Sequence, residues 1–205
     1  RSMLSLSLFK QRKQRDNKFS PDLFLPFSHI GLGSYDPHAY DYDINNLERI
    51  YKMIGERNIR WIHTSPSCII QHIDTLEKSN RKLNVESLKY IECNGSYLSD
   101  NDRKRIEEFF GVKVINHYGC IETWPIALSC KMGNMHVNEQ VTYLEIIDEN
   151  NNVITETNRI GRIVVTTLVN RFFPLIRYSL GDFGMLLDIS CECGNCGKVI
   201  KLVEG

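Results

Sequence analysis

The sequence predicts an α/β fold: a parallel sheet with crossover helices, followed by a small antiparallel β-sheet or barrel subdomain. Two observations carry this. Residues 45–116 alternate between short apolar β-branched runs and stretches with helical spacing, which implies crossover connections between parallel strands. Beyond them, short β-branched runs follow one another with few helical patterns, the signature of antiparallel pairing. The expected boundary lies near residue 137, giving subdomains 1–136 and 137–205.

Residues 1–44 are broken up by Pro21, Pro26, Gly31, Gly33 and Pro37, and read as loop with short strands. Leu47, Ile50, Tyr51 and Ile54 recur at helical spacing and predict a helix from Asn45 to Glu56, capped by Asn45 or Asn46. Ile59–His63 is a strand. Ile69, Ile70, Ile73 and Leu76 share one face of a helix over Pro66–Lys82. Leu88–Cys93 is the next strand, Ser99 caps a helix to Phe110, and Val112–Ile115 is a strand. In the second half, Val141–Asp148 is a strand and Glu149–Asn152 a turn, with Val153 and Ile154 resuming the strand. Arg162–Val169, Leu175–Tyr178, Met185–Asp188 and Val199–Val203 are further strands.

The chain has 205 residues, with 25 acidic and 25 basic side chains. This balance offers no electrostatic case for nucleic acid or an anionic membrane as partner. The basic run Lys10–Arg15 lacks interleaved aromatics and reads as a solvated face. No apolar stretch approaches bilayer length. Met3–Phe9 is too short for a signal peptide and has no small-residue cleavage site. Seven cysteines without a secretory signal predict a cytoplasmic protein with reduced thiols. Arg1 in place of Met suggests that both ends belong to a longer protein.

The chemistry concentrates in two loops after strand ends and one later segment. In open parallel sheets, ligands bind at the carboxyl ends of strands. There the sequence has Cys93-Asn94-Gly95-Ser96-Tyr97-Leu98-Ser99, and then Asn116–Trp124 with His117-Tyr118-Gly119-Cys120-Ile121-Glu122. Gly95 and Gly119 would let backbone approach a flat base, and Tyr118 offers a ring for stacking. Glu122 suits a hard cation such as Mg²⁺. In Pro174–Asp182, Gly181 permits a tight turn and Asp182 can accept from two neighbouring hydroxyls, such as those of a ribose. Taken singly, Tyr118 also fits a core, Glu122 a solvated helix and Asp182 a solvated turn. Together they describe a nucleotide site.

These residues resemble the adenylate-forming (AMP-binding) superfamily. His117–Glu122 is similar to its Tyr-Gly-x-Thr-Glu motif, and Ile176–Asp182 to its Arg-Tyr-x-x-Gly-Asp motif. Asn94–Leu98 stands where that superfamily has a Gly-Gly/Ala-Glu-Pro segment. Gly161–Leu168 followed by Phe173–Tyr178 is similar to the phenylacetate–CoA ligase branch, with its relatives in capsular polysaccharide biosynthesis and coenzyme F390 synthesis. The resemblance runs from about Trp61 to the last residue. It implies an AMP-forming acyl-CoA ligase that uses ATP and Mg²⁺ to adenylate a carboxylic acid and then passes the acyl group to coenzyme A. By the same resemblance, Glu122 binds Mg²⁺ and serves catalysis, Asp182 holds the ribose, and Gly95, Ser96, Tyr118 and Gly119 line the adenine pocket, with Tyr97 and His117 beside them. His29–Tyr42 and Thr64–Ser67 would border the acyl pocket.

Four departures bear on this expectation. Ile121 replaces the motif's Thr, and Ser96 replaces the Glu of the adenine segment. The glycine-rich phosphate loop is expected upstream of this chain. The hinge and a lid domain with a catalytic Lys are expected after Gly205. The chain alone is therefore expected not to turn over.

Cys191-Glu192-Cys193-Gly194-Asn195-Cys196 overlaps a Cys-x-Cys with a Cys-x-x-Cys, whose glycines suit the turn around a tetrahedral Zn²⁺. Cys130 and His136 flank a Gly-centred loop. Relatives in the phenylacetate–CoA ligase branch imply a structural zinc on four of Cys130, His136, Cys191, Cys193 and Cys196. A reduced, metal-free cysteine turn is the alternative. Cys68, Cys93 and Cys120 read as packing residues. Small-molecule partners (ATP, acid and CoA) and a possible homodimer complete the expectation. The second functional reading is a degenerate nucleotide-binding accessory protein of capsule biosynthesis without ligase activity. A third is a small zinc-stapled interaction module.

Overall fold

The computed structural model describes residues 29–31, 42–79, 83 and 85–204. The basic run Lys10–Arg15, residues 32–41 of the expected acyl-pocket border and residues 80–82 of the second expected helix lie outside them. The chain divides into two compact units, Arg1–Ile91 with Arg105–Val112, and Glu92–Lys104 with Lys113–Gly205. The expected α/β class holds, with a large sheet and crossover helices.

In the first unit, β1 (His29–Gly31) pairs in parallel with β2 (Trp61–Thr64), and helix α1 (Ile44–Glu56) connects them. Asp43 caps α1: its side chain accepts from the Asn45 backbone N–H at 3.0 Å. The expected Asn45 and Asn46 are already inside the helix. A carboxylate one residue before the first apolar position satisfies the orphan donor equally well. Leu47, Ile50, Tyr51 and Ile54 are buried on one stripe.

Helix α2 runs Pro66–Ser79, with Pro66 where its missing N–H costs nothing. The Ser65 hydroxyl accepts from the Cys68 N–H at 3.2 Å. Cys68, Ile69, His72, Ile73 and Leu76 are buried, while Ile70 stands at the edge of the stripe. The Tyr51 hydroxyl lies 3.0 Å from His72 Nδ1, so these two buried polar groups satisfy one another. Burial, then the neighbouring Cys68, holds the Tyr51 phenol well above its ordinary pKa. Strand β3 (Tyr90–Cys93) lies beside β2, and helix α3 spans Asp100–Phe110. Ser99 caps α3 as expected, accepting from the Asp102 N–H at 3.0 Å and donating to the Asp102 carboxylate at 2.7 Å.

The second unit is an antiparallel run in the order β4-β5-β6-β10-β9-β8-β7. Its strands are β4 (Lys113–Cys120), β5 (Trp124–Ser129), β6 (Met135–Val137), β7 (Thr142–Ile147), β8 (Gly161–Thr167), β9 (Tyr178–Leu187) and β10 (Val199–Glu204). These strands bury Ile126, Ala127, Met135, Val137, Leu144, Ile146, Ile163, Val165 and Ile200 in one core, at alternate positions in β6, β7 and β8. The Glu149–Asn152 turn forms as expected, with the Asp148 carboxylate accepting from the Asn150 and Asn152 N–H groups at 2.9 and 2.8 Å.

Two expectations need correction. The loop expected over Asn116–Trp124 is instead a hairpin. β4 continues through the Tyr-Gly motif to Cys120 and pairs with β5, leaving only 121–123 as the turn. The burial of Ile126 and Ala127 fixes β5 in place, and β4 gains a backbone partner there. The second correction concerns the Arg-Tyr segment. Leu175–Tyr178 is not a strand, because Arg177 takes a left-handed φ of 49°. The strand starts at Tyr178 and runs through Gly181 and Asp182, which were expected in a turn. They form a bulge: the register jumps from Arg162↔Phe183 to Val164↔Ser179, leaving Leu180–Asp182 opposite Ile163.

Candidate nucleotide site and thiol–imidazole centre

All the candidate site residues belong to the second unit. Gly95, Ser96 and Tyr97 lie on the loop after β3 and are exposed, Tyr97 to 78%. Gly95 has φ of 79°, a conformation side chains rarely adopt, with open space where a Cβ would stand.

The β4–β5 hairpin carries His117, Tyr118, Gly119 and Glu122. His117 is buried, and its Nδ1 lies 2.6 Å from Glu92 Oε1 of β3. The Trp124 ring meets it edge-on at 5.6 Å. A Cβ on Gly119 would fall on the Trp124 carbonyl, so the close approach this glycine makes is to its own hairpin partner. Tyr118 is half-buried, and its ring packs against the core cluster of the second unit.

The β9 bulge brings Asp182 to Tyr118, whose hydroxyl donates to Asp182 Oδ2 at 2.6 Å. Gly181, at φ of 90°, makes this bulge possible. Burial, then the hydrogen bond and charge of Asp182, raise the Tyr118 pKa far above its usual range. The phenol therefore stays a donor at any physiological pH.

Glu122 is exposed in the hairpin turn. A bond to its own backbone N–H, then bonds from the Cys120 and Tyr178 side chains, lower its pKa and keep it ionised. The charge of Glu122, then burial, raises the Tyr178 pKa in turn. Cys120 Sγ lies 3.1 Å from the Thr123 hydroxyl. Ile121 is 84% exposed beside them.

Cys130, His136, Cys191 and Cys193 converge, with their ligand atoms all within 4.8 Å of one another. Cys196 is exposed and is not one of the four. Cys130 Sγ lies 3.6 Å from Cys191 Sγ, and Cys193 Sγ lies 3.4 Å from His136 Nε2. Ligands of a tetrahedral zinc stand about 3.5–3.8 Å apart, given metal–ligand bonds near 2.0–2.3 Å. Three sulfurs and one imidazole at these spacings fit that ion.

The surrounding bonds orient the donors. His136 Nδ1 lies 3.3 Å from the Gly197 carbonyl, and a proton there leaves the Nε2 lone pair turned to the sulfurs. Asn134 Nδ2 donates to Cys191 Sγ at 3.2 Å, and the Asn195 N–H to Cys193 Sγ at 3.3 Å. The Asn134 bond, then the Cys193 N–H, pull the Cys191 pKa down to about 6. At Cys193 the Asn195 N–H lowers the pKa, but burial with the Cys191 and Cys130 sulfurs outweighs it and the pKa ends above its ordinary value.

Sequence reasoning missed Glu92 and Tyr178 as partners of His117 and Glu122, and missed the asparagines that donate to the sulfurs. The asparagines had a readable signal, since both lie between or beside the proposed ligands. Glu92 had none, because only the pairing of folded strands brings it to His117.

No protein-family model matches the chain. Over 136 residues it is 30% identical to a phenylacetate-coenzyme A ligase of Thermus thermophilus, a match covering 62% of this chain and 31% of the ligase. A 2-hydroxyisobutyryl-CoA ligase solved with 2-HIB-AMP and CoA superposes with a TM-score of 0.66 and 20% identity, over 78% of this chain and 35% of that one. The luciferase-like enzyme from the nonluminescent mealworm Zophobas morio gives a TM-score of 0.60 and 14% identity, over 86% of this chain and 49% of that one. In fold, the chain resembles part of these enzymes. In sequence, its likeness is to the phenylacetate–CoA ligases, as the motifs predicted. The chain spans about a third of the length of the ligase it matches.

Proposed function

We propose that this chain forms the adenine- and ribose-binding side of an ATP-dependent, AMP-forming acid–thiol ligase. The observation that carries the reading is the Tyr118–Asp182 bond, which joins the two superfamily motifs in one place. Asp182 takes the ribose hydroxyls, and the loop Gly95–Tyr97 with His117, Tyr118 and Gly119 borders the adenine. Glu122, exposed and ionised, is suited to hold Mg²⁺ against the phosphates. The ion would neutralise charge as pyrophosphate leaves.

In this reading a carboxylate attacks the α-phosphorus of ATP and pyrophosphate departs. The thiol of coenzyme A then takes the acyl group from AMP. Positioning and charge stabilisation supply most of the catalysis. Cys130, His136, Cys191 and Cys193 hold a structural zinc with no open position, tying β5 and β6 to the turn before β10. The cytoplasm is the compartment in which these unpaired thiols persist. Among the described residues no helix is long and apolar enough to cross a membrane. The partners are small molecules rather than nucleic acid.

The test is acid-dependent pyrophosphate release by the intact protein, screened over aryl and other carboxylic acids. Release that needs both ATP and one acid class supports the ligase. One observation favours a second reading, a nucleotide-binding accessory of capsule assembly without ligase activity: Ile121 stands exposed where the motif has a hydroxyl. ATP binding without pyrophosphate release for any acid would select it.

A further inference from the structure

We propose that Tyr118 is a positioning residue for Asp182, its hydroxyl aiming one carboxylate oxygen at the ribose of the nucleotide. The proposal rests on the ATP-site reading given above. It starts from the bulge. Leu180, Gly181 and Asp182 stand opposite the single residue Ile163, so the ladder that aligns the rest of β9 is interrupted where Asp182 sits. Gly181 adds a left-handed φ next to it. The backbone alone therefore leaves the Asp182 side chain free to rotate among its staggered conformers.

Tyr118 removes that freedom. Its ring is held against the buried cluster around Ile126 and Ala127, so the phenol oxygen has a fixed position. From there it donates to Asp182 Oδ2 at 2.6 Å, a short bond to an ionisable acceptor. Burial and the carboxylate keep the proton on the phenol. With Oδ2 engaged, Oδ1 is the oxygen left to accept from a ribose hydroxyl. The same bond ties the strand that leads into Glu122 to the bulge that carries Asp182. It thereby sets the spacing between the proposed ribose and metal contacts.

Tyr118→Phe keeps the ring and its packing and removes only the hydroxyl. The experiment is equilibrium binding of ATP, 2′-deoxy-ATP and 3′-deoxy-ATP to the intact wild-type protein, Tyr118→Phe and Asp182→Asn, with thermal melting as a check on folding. The wild type is expected to prefer ATP over at least one deoxy analogue. Tyr118→Phe is expected to lose about tenfold in ATP affinity, the scale of one hydrogen bond to a charged group, and to hold that deoxy analogue as the wild type does. Its preference for ATP then falls toward that of Asp182→Asn. Equal weakening of all three nucleotides by Tyr118→Phe would identify a purely structural role for the hydroxyl and overturn the proposal. So would an unchanged preference for ATP in Tyr118→Phe when Asp182→Asn has lost it, and in that case the ATP-site reading survives. An Asp182→Asn variant that binds and discriminates like the wild type overturns the ribose reading itself.

Discussion

Gly119 and Gly95 both sit in candidate nucleotide loops, yet they are glycines for different reasons. Gly119 has the Trp124 carbonyl where a Cβ would go, whereas Gly95 has open space and a φ of 79°. Gly119→Ala must therefore push the hairpin strands apart, at a cost of about 1–3 kcal/mol by analogy with overpacked cores. Gly95→Ala meets only backbone strain, about 1–2 kcal/mol. Urea unfolding followed by tryptophan fluorescence should show both losses, and Gly119→Ala should also shift the environment of Trp124. At this scale the sequence was informative about residue type and less so about cause. The motif spacing singled out Gly119, Tyr118 and Asp182. That Gly119 serves its hairpin, and that Tyr118 donates a hydrogen bond to Asp182, depends on a strand pairing and a bulge that no local pattern encodes.

At the scale of elements, helices were easier to read than strands. The apolar spacing of α1 and α2 survives in the folded chain, because each helix buries one stripe. β5 was not anticipated: Pro125 interrupts its pattern, and its place is decided by burying Ile126 and Ala127. Ile126→Ala should therefore cost about 2–5 kcal/mol, as large-to-small changes in packed cores do, and a urea titration will measure it. The thiol–imidazole centre joins the ends of β5 and β6 to the knuckle before β10. The protein purified without chelator should hold one zinc per chain by elemental analysis. Cys193→Ser and His136→Ala should lose it and lower the melting temperature, whereas Cys196→Ser should retain it. Zinc loss in Cys196→Ser with retention in Cys193→Ser would reassign the ligands.

Over the whole chain, β1, β2, α1 and α2 fall in the first compact unit and the antiparallel strands β4–β10 in the second, inside which the boundary expected near residue 137 falls, and the fold resembles that of the adenylate-forming enzymes. What could not be read was the change of partners within single elements: the chain passes between units inside α3 and β3, where local periodicity continues unbroken. The proposed adenine, ribose and metal contacts all fall in the second unit. The exposed Glu122, the Tyr118–Asp182 pair and the cluster of Cys130, His136, Cys191 and Cys193 all stand there. The proposed function gives nucleotide recognition to these residues and turnover to an intact ligase. The measurement that tests it most directly is pyrophosphate release with ATP, Mg²⁺ and a panel of carboxylic acids, run in parallel on these 205 residues and on the intact protein. The account predicts acid-dependent release by the intact protein, abolished by Glu122→Ala, and none by the 205-residue chain. Release by the chain alone, or release by the intact protein that ignores both the acid and Glu122→Ala, would contradict it.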